Sequence, residues 1–392
     1  MKRFGWILAV LMLASPAWAA KKVTVQQLKD MLVSMQQSHK TDDEVASELK
    51  QVELTEEMTV STKNSLAGLL PVVNGTAGLR SSEQIYVLEA RSATLAPPAA
   101  DLPATAALDA AAQKALLDKA ADYAKTYAQL PHLTGSKSTI RFQDNVEAAA
   151  DYSGMHSGSL DSDPSLVMSN HFIHYINQTD GSIELQNGVE VLSKAKDNTR
   201  WGANKMLGIL GQSPDLGSVI SDAEGTGRIG WLRWELVNGK STAVFSFSVD
   251  KKKSHLNVNY CCFPTSDQTG VMHYSPNSPM GAGAVHGNMQ TNTSYDQVFK
   301  ATVPYHGEIF IDPDTWIVIR LITQAEFKTS DMVQKEDRRI DYGPMVAGAK
   351  ALVPVKAIVQ TIDVPNGDAG SSKFTTRTTL LNSDYKSYQA AQ

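Results

Sequence analysis

The chain has 392 residues, of which 42% are hydrophobic and 20% charged, and its formal net charge is −5. That length allows two domains or one large one, the composition is that of a globular rather than a disordered chain, and the acidic balance offers no electrostatic footprint for nucleic acid or anionic lipid. The only two cysteines, Cys261 and Cys262, are neighbours, so no disulfide framework closes a loop and stability has to come from apolar cores.

The first residues read as an export signal. Met1-Lys2-Arg3 is a short positive region, Phe4 to Ala14 is an apolar run, and Ala17-Trp18-Ala19 is an A-x-A cleavage site, so cleavage is expected after Ala19. An apolar run of roughly 10–15 residues is too short to span a bilayer core, which needs about 20. Removing Lys2 and Arg3 takes the net charge from −5 to −7. No cysteine stands at the new N-terminus, which argues against a lipoprotein. A periplasmic or secreted protein without a membrane span is expected.

Residues 20–95 read as an array of short helices. Val25, Leu28, Leu32 and Met35 recur at helical spacing. Thr41 and Glu44 form a capping box ahead of an apolar face of Val45, Leu49 and Val52. Leu66, Leu69 and Leu70 mark a third helix that stops at Pro71, and a fourth carries Ile85, Val87 and Leu88 after the break at Asn74–Gly78. No fixed period makes this a true repeat. Residues 96–108, with Pro97-Pro98 and Pro103, predict an extended linker. Asp109–Leu130 is a strong helix with Leu116, Leu117, Ala120, Tyr123 and Tyr127 on its apolar side, ended by Pro131.

Within 109–392 the period then falls to two. A hairpin is expected over His171–Val191 with its turn at Gln178–Gly181, followed by strands at Trp231–Val237, Thr242–Val249 and His255–Cys262. Asn238-Gly239 is a hairpin turn, and Lys251-Lys252-Lys253 fills the next as a solvated turn. Phe245, Phe247, Leu256, Val258 and Tyr260 are expected on one buried face of that last pair, with Asn257 and Asn259 outward. Residues 264–297, rich in Gly, Ser, Asn and Pro, predict a mobile loop. Strands resume at Pro304–Ile311 and, after a turn at Asp312–Thr315, at Trp316–Ile322, Arg338–Tyr342, Ala351–Ile362 and Lys373–Leu381. The fold class is therefore α+β: short helices first, then one large, curved or barrel-like antiparallel sheet of eight to eleven strands with a helix to cover it.

The passage Tyr305-His306-Gly307-Glu308-Ile309-Phe310-Ile311-Asp312-Pro313-Asp314-Thr315, running into Ile319-Arg320-Leu321, resembles the strand, turn and arginine-bearing strand of periplasmic lipoprotein-carrier and RseB-like proteins. The whole chain is also similar to secreted proteins of unknown function numerous in acidobacteria. The first resemblance implies a half-barrel of antiparallel strands covered by helices. Two departures stand out: Trp316 occupies the place of a glycine after the turn threonine, so a different turn type is expected, and the N-terminal helices have no counterpart in the carriers.

No catalytic, cofactor-binding or metal-ligating residue is assigned. His171 and His174 are three apart in a strand pattern and so point to opposite faces. Asp161-Ser162-Asp163-Pro164 lacks the glycine and distal Glu of a calcium loop. H-E-x-x-H, G-x-S-x-G, Walker and G-x-G-x-x-G motifs are absent, and Ser47-Glu48-Leu49-Lys50 matches S-x-x-K without its partner motifs. His306, Glu308 and Asp312 share one strand face, best read as a solvent face. Cys261 and Cys262 are two free thiols, a strained vicinal bridge or an intermolecular bond. These readings favour an exported, non-catalytic binding protein for a lipid, acyl chain or other hydrophobic ligand. A cell-envelope scaffold is the alternative, and an uncharacterised hydrolase a distant third.

Overall fold

The computed structural model describes residues 20–127, 130, 132–144, 173–191, 216–226, 228–265, 294–344, 352–363 and 377–390, with 127, 191, 259–265 and 294–298 as backbone only. The expected export signal, residues 1–19, lies outside the described residues. The chain divides into two compact units, Met1–Pro98 and Ala99–Gln392. Among the described residues six α-helices accompany antiparallel strands, and no helix is long and apolar enough to cross a membrane.

In the first unit, helices begin where the sequence supplies a cap. Thr24 and Gln27 cap α1 (Val25–Gln37) reciprocally, Thr41 and Glu44 do the same for α2 (Asp42–Leu49), and Thr59 caps α3 (Val60–Ala67). Helix α4 (Leu79–Ser92) follows Gly78, which has no side chain to give. Its cap comes from α2: Asp42 accepts the backbone N–H of Arg80 at 3.0 Å and of Ser81 at 2.9 Å. A Cβ on residue 78 would sit on that carboxylate. The apolar stripes meet in one core around Leu28, Leu32, Val45, Leu49, Leu66 and Ile85.

Two short strand pairs were not expected within this helical region. β1 (Lys21–Val23) pairs in parallel with β2 (Val52–Leu54), so Val52 belongs to a strand rather than to the face of α2, which ends at Leu49. Val52-Glu53-Leu54 alternates buried, half-buried, buried, a period of two that three residues are too few to announce. β3 (Val72–Val73) and β4 (Thr76–Ala77) form a hairpin around Asn74-Gly75, both left-handed.

The second unit carries α5 (Ala110–Tyr127), α6 (Leu216–Thr226) and twelve strands: β5 (Leu133–Gln143), β6 (His174–Gln186), β7 (Val189–Val191), β8 (Ile229–Val237), β9 (Lys240–Val249), β10 (Asn257–Thr265), β11 (Ser294–Thr302), β12 (Tyr305–Ile311), β13 (Val318–Ala325), β14 (Val333–Pro344), β15 (Leu352–Asp363) and β16 (Arg377–Ala390). Ten of them form one sheet in the order β7-β6-β5-β16-β15-β14-β13-β12-β9-β8, every pairing antiparallel. Its edges, β7 and β8, are not paired with each other, so the sheet is open.

Four sequence expectations are corrected. The turn at Gln178–Gly181 does not exist: Thr179, Asp180 and Gly181 stay in β6, opposite Thr139, Ser138 and Lys137. The chain turns instead at Asn187-Gly188, whose φ values of 53° and 77° match those of Asn238-Gly239 at 52° and 77°, as a type I′ hairpin requires. β10 does not pair with β9 but with β11, and these two form a separate ribbon while β9 pairs with β12. Both ends of the expected loop 264–297 are strand, to Thr265 and from Ser294, and residues 266–293 lie outside the described residues. At the fourth, Trp316 keeps the left-handed conformation (φ 63°) that a glycine there would relax. The turn is held by Trp316 N–H to the Asp312 carbonyl (2.7 Å), by Thr315 Oγ1 to the Asp312 carboxylate (2.7 Å), and by the Lys119 ammonium 3.8 Å above the indole.

The Asp42 carboxylate is raised by burial but lowered more by its hydrogen bonds from Ser81 and Arg80, so its pKa lies below the usual value. A depressed pKa gives stability that is present above about pH 4 and lost as the pH falls further. Asp42→Ala is expected to destabilise the first unit by about 1 kcal/mol at neutral pH, less in acid, and Gly78→Ala to act in the same direction. Amide hydrogen exchange along α4 in the full chain reads both.

Candidate functional site

Residues directly opposite one another across neighbouring strands form rows about 4.8 Å per step, and alternate rows point to opposite faces. On one face lie α5 and α6. Leu116, Ala120 and Ala124 of α5 and Val219, Ile220 and Ala223 of α6 enter one apolar cluster with Phe245, Phe247, Tyr305, Ile309 and Leu321 of the sheet. Leu256 and Val258 join it, as the sequence predicts, and Asn257 is exposed. Tyr260 and Asn259 are outside the side chains described. At the margin of this cluster are half-buried aromatic residues: Trp231, Trp234, Phe299, Phe327, Tyr123 and Tyr342. Trp231 packs edge-on against Trp234 (5.0 Å) and Phe245 (5.5 Å), and Trp234 donates its indole N–H to the Ala106 carbonyl at 2.8 Å.

The same face turns polar further along the sheet. One row runs from Val249 and Tyr305 through Ala325 to Glu336, Thr361, Thr379 and Gln143. Two positions along lie Arg338 and Arg141, with Val359 and Leu381 between them. The polar members of both rows are buried. Arg338 pairs with Glu336, Arg141 donates to Gln143 at 3.0 Å, and Gln143 donates to Thr379 at 3.0 Å.

The opposite face carries a second polar system. Arg233 binds Glu308 through both carboxylate oxygens (2.7 and 3.0 Å) and Glu235 at 2.6 Å, while Arg320 and Arg339 share Asp341 at 2.6 and 2.9 Å. Arg320 also approaches Glu235 at 3.7 Å and lies 5.2 Å from the Phe310 ring centre. Three guanidinium groups thus meet three carboxylates on β8, β12, β13 and β14. Burial opposes the charge on Asp341, but Arg320 and Arg339 outweigh it and hold its pKa far below the usual carboxylate range. For Arg233 burial is likewise outweighed, here by Glu308 first and then Glu235, and its pKa rises.

A third arrangement sits where the β10–β11 ribbon leaves the sheet. Buried Asp222 of α6 accepts hydrogen bonds from the Tyr305 hydroxyl (3.0 Å), the His255 backbone N–H (3.1 Å) and His255 Nδ1 (2.6 Å). The Ser254 hydroxyl donates to the Val303 carbonyl at 2.6 Å beside it. Through these hydrogen bonds Asp222 pins α6 to the segment that leads into the ribbon.

The residues singled out in the sequence do not converge. His306 pairs with Glu326 (3.0 Å), Glu308 with Arg233, and Asp312 with Lys240 (2.6 Å) from beyond the end of β12. The expected solvent face is therefore a part-buried ionic one, because Arg233 and Lys240 reach over from β8 and β9. Ser47 and Lys50 are simply exposed on α2 and its cap. His174 lies in β6 opposite Gln143; His171, Asp161 and Asp163 are outside the described residues, as are the side chains of Cys261 and Cys262. What the sequence reading missed are the charged and polar pairs two apart on one strand, Arg233/Glu235, Glu336/Arg338, Arg339/Asp341 and Arg141/Gln143. Spacing of two on a strand puts both members on one face, and that was a signal available in the sequence. No protein-family model matches the chain, and no curated protein or solved structure matches it.

Arg320→Met would take one of its two arginine partners from part-buried Asp341 and leave it Arg339. Removing one partner of a buried pair costs about 3–5 kcal/mol, so a loss of that order is expected in urea unfolding at neutral pH. Because the folded pKa of Asp341 is depressed, its stabilising contribution is present above about pH 4 and lost as the pH falls. The stability difference between wild type and Asp341→Asn should accordingly shrink in acid; a difference constant down to pH 2 would contradict it.

Proposed function

We propose that the chain is an exported, non-catalytic binding protein that holds a lipid, an acyl chain or another hydrophobic ligand on the helix-bearing face of its sheet, with the sheet as a half-barrel and α5 and α6 as its cover. The observation that carries this reading is the aliphatic and aromatic cluster shared by the two helices and β9, β12 and β13, together with the half-buried aromatic residues at its margin. A largely apolar lining with a few placed polar groups is the usual make-up of a small-molecule site, and Trp and Tyr suit a margin that is apolar on one side and wet on the other. The likeness of Tyr305–Leu321 to the lipoprotein-carrier hairpin and the export signal at Lys2–Ala19 agree with it.

A scaffold role in the cell envelope has one observation of its own. The β3–β4 hairpin and the start of α4 expose Val72 (74%), Val73 and Leu79 (80%) on the first unit, apolar surface of the kind that marks interaction sites.

The two readings separate experimentally. Protein recovered from the periplasm of an expressing cell should carry excess mass in native mass spectrometry. Titration with oleate should shift tryptophan emission to the blue, and the shift should be lost in the Trp231→Phe/Trp234→Phe variant. A clean apo mass with a flat titration would overturn the binding reading.

A further inference from the structure

The helix-bearing face is not uniformly apolar. It changes character between β13 and β14, and the polar half is built in a way that a purely hydrophobic ligand does not require. We infer, resting on the binding reading above, that the ligand is an anionic amphiphile whose acidic oxygens are received by the hydroxyls of Thr361 and Thr379, while its chain lies over the apolar half.

The argument starts from the direction of the hydrogen bonds. Arg141 donates to Gln143, and Gln143 donates to Thr379 Oγ1, each at 3.0 Å. The Thr379 oxygen is therefore an acceptor in this chain, and its own hydrogen remains to be given. Directly opposite in register is Thr361, fully buried, whose hydroxyl has no hydrogen-bond partner among the described residues. Cross-strand neighbours stand about 5 Å apart at Cβ, so two hydroxyl hydrogens are offered side by side. Valine has nearly the same shape as threonine and would satisfy an apolar floor without burying a donor. Two buried donors held together call for an acceptor, and the acceptor that binds such a pair most strongly is an oxyanion.

The surrounding charge favours the same chemistry. Arg338 and Arg141 lie in the next row on this face, flanking Val359 and Leu381, and the carboxylate nearest the hydroxyl pair, Glu336, is engaged by Arg338. On the other side the row passes through Ala325 and Tyr305 to Val249, inside the apolar cluster. Head and chain positions are thus consecutive along one row of the sheet. Carboxylate and phosphate monoester share this chemistry.

The test compares oleate, oleyl phosphate and oleyl alcohol, with inorganic phosphate and acetate as heads without a chain, by calorimetry on the full mature chain. At least one of the two anionic amphiphiles is expected to bind about tenfold or more tightly than the alcohol, as charge-assisted hydrogen bonds require. In Thr361→Val/Thr379→Val, whose urea midpoint reports that it folds, the ratio should collapse toward one. A ratio near one in the wild type, or one that survives in the variant, overturns the assignment of the head while the hydrophobic-ligand reading stands. Binding of inorganic phosphate as tight as that of oleyl phosphate overturns the amphiphile in favour of a small-anion site. If none of the five binds, the inference and the reading beneath it both fall.

Discussion

The pairing of β5 with β16 is the contact on which the second unit depends. It joins strands whose facing residues, Gln143 and Thr379, are 236 positions apart, and it alone connects β5, β6 and β7 to the rest of the sheet. Side chains reinforce it where the backbone pairs: Thr139 and Ser383 share a hydrogen bond of 2.9 Å, and Asp144 accepts the Thr378 N–H at 2.9 Å while giving its own N–H to the Thr378 carbonyl. Closing so long a loop costs chain entropy before any contact rewards it. The meander β12 to β16 consists of local pairings and can form first; the rows that cross from β12 to β5 exist only once the distant pairing is made.

Both faces of the sheet bury charge, by different means. On the face away from the helices each guanidinium has a carboxylate, the network is formally neutral, and its contribution is to lock β8, β12, β13 and β14 in one register. On the helix-bearing face, Arg141, Gln143 and Thr379 form a chain of donors that all point one way. A closed set of ion pairs holds a shape, whereas a one-way chain of donors has an end with something left to give.

Much of the local structure could be read from the residues. The threonine cap at 41, the Asn238-Gly239 turn and the alternation of Phe245 and Phe247 each act over a few residues, where physics is local. The errors came where a distant partner decided. Thr179-Asp180-Gly181 has the composition of a turn, but pairing with β5 keeps it extended, and the nearby Asn187-Gly188 has the stronger turn chemistry. β10 alternates as a sheet strand should, yet whether it joins β9 or β11 depends on residues 29 to 45 positions away. Alternation along a strand puts Arg233 with Glu235 and Arg339 with Asp341 on one face, but which of them meets Glu308 or Arg320 is set by the register between strands. Trp316 is a different case: hydrogen bonds around Asp312 impose a backbone conformation that no preference of tryptophan predicts.

The strand order of the large sheet has one more implication. Read from edge to edge it is the chain order rotated, β8-β9-β12-β13-β14-β15-β16 followed by β5-β6-β7. Ala390 at the end of β16 lies opposite Leu133 at the start of β5, which is the geometry of a hairpin lacking only its turn. A chain joined at that point and opened between β7 and β8 would trace the sheet as a single meander, with the β10–β11 ribbon as its one excursion. The strand order of this sheet is thus that of a circularly permuted up-and-down meander, with the start of β5 and the end of β16 side by side within it and the seam at its rim.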